Sequence, residues 1–216
     1  MNALTQFESH LPAEARRIIN KIKSPFEVQE FLQSMTYKAE VRDRSPLNVI
    51  SDKQCHCLDG GFLGALLLWK LGFKPLVIDL VPDRGVDDDH VLALYQYDGH
   101  WGAVAKTNYL FLGFREAVHK NLRELIMTYF THYATIHSAI SLRAYTRPFD
   151  VSKFPLTDWA INEENANKIY KRFYTRKPIS LITKKMASRL SPLSEHQYAA
   201  ETMFTDLNES FGNRKE

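Results

Sequence analysis

Residues 59–71, Asp-Gly-Gly-Phe-Leu-Gly-Ala-Leu-Leu-Leu-Trp-Lys-Leu, carry charge only at Asp59 and Lys70. Apolar side chains fall on nearly every side at the helical period, so a helix built from this stretch is buried on most faces rather than along one stripe. Gly72 follows where a helix ends readily. Such a helix needs a substantial core around it, and the chain can supply one. Its 216 residues are 44% hydrophobic and 12% aromatic, enough for one domain with an extension.

Other elements can be read around that helix. Leu11, Ala15, Ile18, Ile19 and Ile22 lie at helical spacing. Ser24-Pro25-Phe26-Glu27 predicts a second helix, running to about Ser34, with Ser24 as cap and Glu27 completing a capping box. Residues 41–52 are polar and broken by Pro46, which predicts a loop. Leu76 to Leu80 reads as a buried strand and Pro82 to Asp89 as a polar loop. Two strands, His90 to Tyr97 and Trp101 to Lys106, flank Asp98-Gly99-His100, a hairpin signal. A two-residue turn would set His90 opposite Thr107, and a three-residue turn opposite Asn108. Glu116 to Tyr133 predicts a helix with Leu125, Ile126, Tyr129 and Phe130 on one face. Ser141 to Phe154 reads as strand and loop, Asn162 to Tyr174 as a helix, and Glu195 to Phe211 as a weakly amphipathic tail.

The chemistry concentrates at Cys55-His56-Cys57-Leu58-Asp59, which holds both cysteines. A cysteine in the first turn of a helix faces the positive end of the helix dipole, which favours the nucleophilic thiolate. Cysteines separated by one residue cannot form an ordinary disulfide, so a reducing, cytoplasmic setting is expected. The opening residues, with Glu8, Glu14, Arg16, Arg17, Lys21 and Lys23, read as neither signal peptide nor membrane span. A net charge of +3 is too small to imply nucleic acid. Two bland readings stand beside the catalytic one. Cys57 could be a packing residue. Alternatively, Cys55, His56, Cys57 and His90 could bind metal with an acid from Asp87 to Asp89, although their spacing matches no common zinc pattern. The cluster Lys168, Lys171, Arg172, Arg176 and Lys177 is either a solvated helix face or a contact for an acidic partner.

The order of a cysteine at a helix start, a strand, and a histidine opening the next strand resembles the transglutaminase-like superfamily, which has a papain-like fold. Cys57, Asp59 and, approximately, Gly61 match its Gly-x-Cys-x-Asp-x-Ala pattern, with Cys55 at the glycine position. His90 matches the family histidine and Trp101 the tryptophan of the following strand. His100 to Asn108 also resembles a His-Trp-Gly-Ala-Val-x-Lys-x-Asn block of uncharacterised bacterial transglutaminase-like proteins. The resemblance implies an α+β domain over residues 1–155, a cysteine-bearing helix packed on an antiparallel sheet, and a helical, partly peripheral extension over 156–216. It implies acyl transfer on a peptide or protein amide, by hydrolysis or transamidation, without a cofactor or metal. Cys57 would be the nucleophile and His90 the base. Gln54 would be an oxyanion donor and Trp101 a substrate contact. The family aspartate is absent, leaving Asn108 to orient His90. That departure opens a second reading, a catalytically silent module that binds a protein or peptide.

Overall fold

The computed structural model describes residues 3–212. Three short helices come first, α1 (Ala3–Ser9), α2 (Ala13–Lys21) and α3 (Pro25–Gln33). Strand β1 (Thr36–Tyr37), helix α4 (Pro46–Asp52) and strand β2 (Gln54–Cys55) lead into α5 (Cys57–Lys70). Then come β3 (Leu76–Pro82), β4 (His90–Tyr97), β5 (His100–Val104), β6 (Arg115–His119) and α6 (Leu122–Phe130). The chain continues through β7 (Leu142–Thr146), β8 (Phe149–Asp150), α7 (Glu163–Tyr174) and β9 (Pro178–Ser180). Helices α8 (Lys184–Ala187) and α9 (Glu195–Thr202) follow. The fold is α+β. Its main sheet is antiparallel, in the order β6-β5-β4-β3-β7-β9, with β8 also pairing to β3.

The sheet is covered on both faces, so residues 90–95 of β4 are all buried. Val77, Val91, Ala93 and Tyr95 join the core around α5, while Ile78, Leu80, Leu92 and Leu94 join that around α6. Glycines let α5 settle directly on the sheet. A Cβ on Gly61 would lie 2.5 Å from Val91 Cγ1, and one on Gly60 would lie 2.2 Å from Lys106 Cβ. Lys106 is itself buried, and its ammonium donates to the Met35 carbonyl at 2.5 Å, just beyond the end of α3.

Two expectations are corrected, one left open is resolved, and one gains detail. Residues 46–52 form a helix rather than a loop, because Ser45 accepts the Asn48 N–H and Pro46 occupies the first turn. Proline here starts a helix instead of breaking one. The first part of Glu116 to Tyr133 is strand: β6 pairs with β5, and helix begins only where Asn121 accepts the Glu124 N–H. The hairpin turn has two residues, since Tyr97 pairs with His100, and Asp98 and Gly99 have φ of 47° and 78°. This register runs toward Thr107, not Asn108. Finally, part of the extension beyond residue 155 reaches the core. Trp159, Tyr170 and Phe173 are fully buried around Phe62 of α5, with ring centroids 6.2, 4.4 and 5.7 Å away.

Candidate active site

Cys57 is the first residue of α5, a helix of 14 residues, and no side chain caps that helix end. The sulfur is half-buried and its S–H donates to the Asp89 carbonyl at 3.6 Å. Burial and the nearby Asp89 carboxylate push the thiol well above its usual range, against a smaller opposing effect of the Val91 N–H. Burial first, and the acidic surroundings second, thus disfavour the thiolate. In this state Cys57 is a neutral thiol. Cys55 is fully buried, held near 12 by burial and by Asp59, and is a packing residue.

His90 opens β4 opposite Leu80. Strand alternation places it with Leu92 and Leu94, and its ring lies edge-on to Tyr133, 6.4 Å between centroids. Its Nε2 lies 2.9 Å from the Leu112 carbonyl. A carbonyl can only accept, so Nε2 carries the proton and Nδ1 is left as the basic nitrogen. Burial lowers its pKa to about 4, partly opposed by the Leu112 carbonyl, so the ring is neutral. Cys57 and His90 share no hydrogen bond in this structure.

The remaining expected site residues are engaged elsewhere. Asn108 does not stand behind His90. Its Nδ2 donates to the Asp206 carbonyl at 2.8 Å and its Oδ1 accepts the Asp206 N–H at 3.1 Å. Gln54 Nε2 donates to Glu40 at 3.0 Å, so its amide is already committed. Trp101 is half-buried against the α6-side core. His90, Asn108 and Asp89 nonetheless line one small cavity of about 40 Å³, closed by Glu209, Ser210 and Phe211. Glu209 is fixed by Lys38 Nζ at 2.5 Å and by the Ala39 N–H at 2.7 Å.

Two partnerships at the site carried no sequence signal. In the first, Asp89 accepts the Tyr174 hydroxyl at 2.8 Å and is coupled to Asp79 on β3. Burial and the Asp89 charge raise Asp79 to about 8. Tyr174 and Asp79 lie 85 and 10 positions from Asp89, so only the fold reveals this grouping. The second is the Leu112 carbonyl, a main-chain atom that any residue could supply.

The alternative metal set, Cys55, His56, Cys57 and His90, does not form a grouping with ligand-like spacing among the described residues. Among the described residues the grouping with ligand-like spacing is Asp43, His56 and Asp59. Asp59 Oδ1 accepts the Arg44 N–H at 2.8 Å, and His56 Nε2 lies 3.2 Å from Asp43. Burial opposes charge on His56, but Asp43 and Asp59 together raise its pKa. These residues fit an imidazolium set between carboxylates. No described helix is long and apolar enough to cross a membrane.

No family model matches the sequence. No curated protein matches it significantly. Among solved structures the fold is similar to Legionella pneumophila LapG, at TM-score 0.45 and 10% identity over 81% of this chain and 97% of that one. Calcium-bound LapG overlays at TM-score 0.41 and 11% identity, over 80% and 99% of the two chains. The EGTA-treated form gives 0.39 and 13%, over 54% and 75%.

Proposed function

We propose that the chain is a cysteine-dependent acyl-transfer enzyme acting on an amide of a peptide or protein, with Cys57 as nucleophile and His90 as base. The observation that carries this reading is the placement of a half-buried cysteine at the uncapped first turn of a buried helix, beside the strand that opens with His90. The transglutaminase-like sequence resemblance points the same way. In this reading His90, which shares the α6-side face with Leu92 and Leu94, first turns toward the α5-side face that carries Cys57; the Cys57 proton then passes to His90 Nδ1, and the thiolate attacks the amide carbonyl. The first turn of α5 holds the oxyanion. Protonated His90 then donates to the leaving amine. Water releases the acid from the thioester, or a second amine takes the acyl group. The Leu112 carbonyl takes the orienting role that Asn108 was expected to fill. Being uncharged, it stabilises an imidazolium less than a carboxylate would.

A second reading, a silent peptide-binding module, is favoured by the neutral thiol and the absence of a Cys57–His90 hydrogen bond. The test is labelling by peptide-like electrophiles and turnover of a peptide library. Rapid labelling at Cys57, slowed at least about tenfold by His90→Ala, supports the enzyme. Peptide binding without turnover, with Cys57 as slow as a free thiol, supports the silent module.

A further inference from the structure

The C-terminal end of α7, the turn between β7 and β8, and the start of β9 border an open cavity of about 640 Å³. Its walls carry Arg147, Arg172, Arg176 and Lys177, with Phe149 and Ile179 as apolar surface. Among the described residues none of these four cations has a carboxylate within salt-bridge distance, so their charge faces the cavity unneutralised. Two of the guanidiniums are held in place. Arg172 lies 5.3 Å over Phe154, and Arg176 lies 5.5 Å over Phe149 with Nε donating to the Arg147 carbonyl at 3.2 Å. A cation near a helix C-terminus ordinarily serves the dipole, which accounts for Arg172. It does not account for Arg147 and Lys177, which lie off the helix and face the same space.

We infer that this cavity is a binding site for a small ligand bearing clustered phosphate groups. Guanidinium forks match phosphate oxygens two at a time, and stacking on aromatic rings fixes them before the ligand arrives. The volume lies in the range of small-molecule pockets, which favours a compact phosphorylated ligand over an extended acidic peptide. Ile179, 37% exposed, offers an apolar surface to the remainder of such a ligand. The site is separate from Cys57 and does not depend on that residue's chemistry.

Calorimetric titration of the full chain with inorganic pyrophosphate tests this. Binding is expected with Kd at or below about 1 mM, weakening in 0.5 M salt. Arg147→Glu and Lys177→Glu should each weaken it about tenfold or more. Lys171→Glu, on the same helix but outside the cavity, should change it less than about threefold. All three positions are exposed, and unchanged thermal melting of the variants confirms folding. The inference is overturned by no binding at 10 mM pyrophosphate. It is equally overturned if Lys171→Glu weakens binding as much as Arg147→Glu, which would mark a diffuse charge effect. Tighter binding of an oligoglutamate peptide than of pyrophosphate would also overturn it.

Discussion

After burial, the Asp89 charge is the largest influence holding the Cys57 thiol above its usual range. Removing that charge should therefore make the thiol more acidic. Asp89→Asn is expected to raise the rate of Cys57 alkylation at pH 7 by about tenfold, read by mass spectrometry against Cys57→Ser. Asp79 gives a second prediction at this scale. Its pKa is raised in the folded chain to about 8, by burial and by Asp89, so the native state holds a proton that the unfolded chain releases near 4. Stability from this group is thus present at low pH and is lost as pH rises from about 4 to about 8. Asp79→Asn should melt higher than the parent at pH 8, by an amount worth about 1–3 kcal/mol, and close to it at pH 4. A thermal melt at the two pH values checks the sign. His90 works in the opposite sense. Its lowered folded pKa costs stability as pH falls from about 6.5 toward 4.

At the scale of elements, α5 depends on close approach. The Asp-Gly-Gly run supplies it, since Gly61 faces Val91 with no room for a methyl group. Gly61→Ala should destabilise the fold by about 1–3 kcal/mol, read as a lower urea midpoint, despite alanine's better helix propensity. A rise in stability would show that the strand yields. The same scale shows why some elements were legible in the sequence and others were not. Asn162 with the 3.6 spacing of Ala166, Ile169, Tyr170 and Phe173 announces α7, and Asp98-Gly99 announces the hairpin. Residues 115–119 alternate in burial only because β5 offers them an edge, and no local pattern in five residues separates that from a helix start. Ser45-Pro46 carried a start signal, which the polarity of the surrounding segment obscured.

Across the whole molecule, the segment after residue 155 completes the core that the first half begins. Phe173 and Trp159 are fully buried against Phe62, and Trp159 also stacks on Trp69 with ring planes 13° apart. Phe173→Ala should cost about 3–5 kcal/mol and lower one shared unfolding transition rather than releasing a separate tail. Two transitions, with the first half unaffected, would show independent units. A chain ending at residue 155 should fail to give a cooperative melt. The segment 206–211 bears on the site in a related way, since Asn108 and Lys38 hold it over the cavity beside His90.

The buried central helix, the strand pair after it, and a cysteine at the helix entrance are all written locally. Period, glycine, proline and capping residues act over a few positions, so they can be read without a partner. The surroundings of that cysteine are not local. Asp79, Asp89 and Tyr174 meet at it from three elements, and the Leu112 carbonyl reaches His90 from a fourth. Protonation depends on distance and burial, which only the packed chain defines. The sequence by itself therefore determined that a cysteine stands at the entrance of the buried helix. The tertiary structure decided that its sulfur rests as a neutral thiol among carboxylates, and which atom orients the histidine.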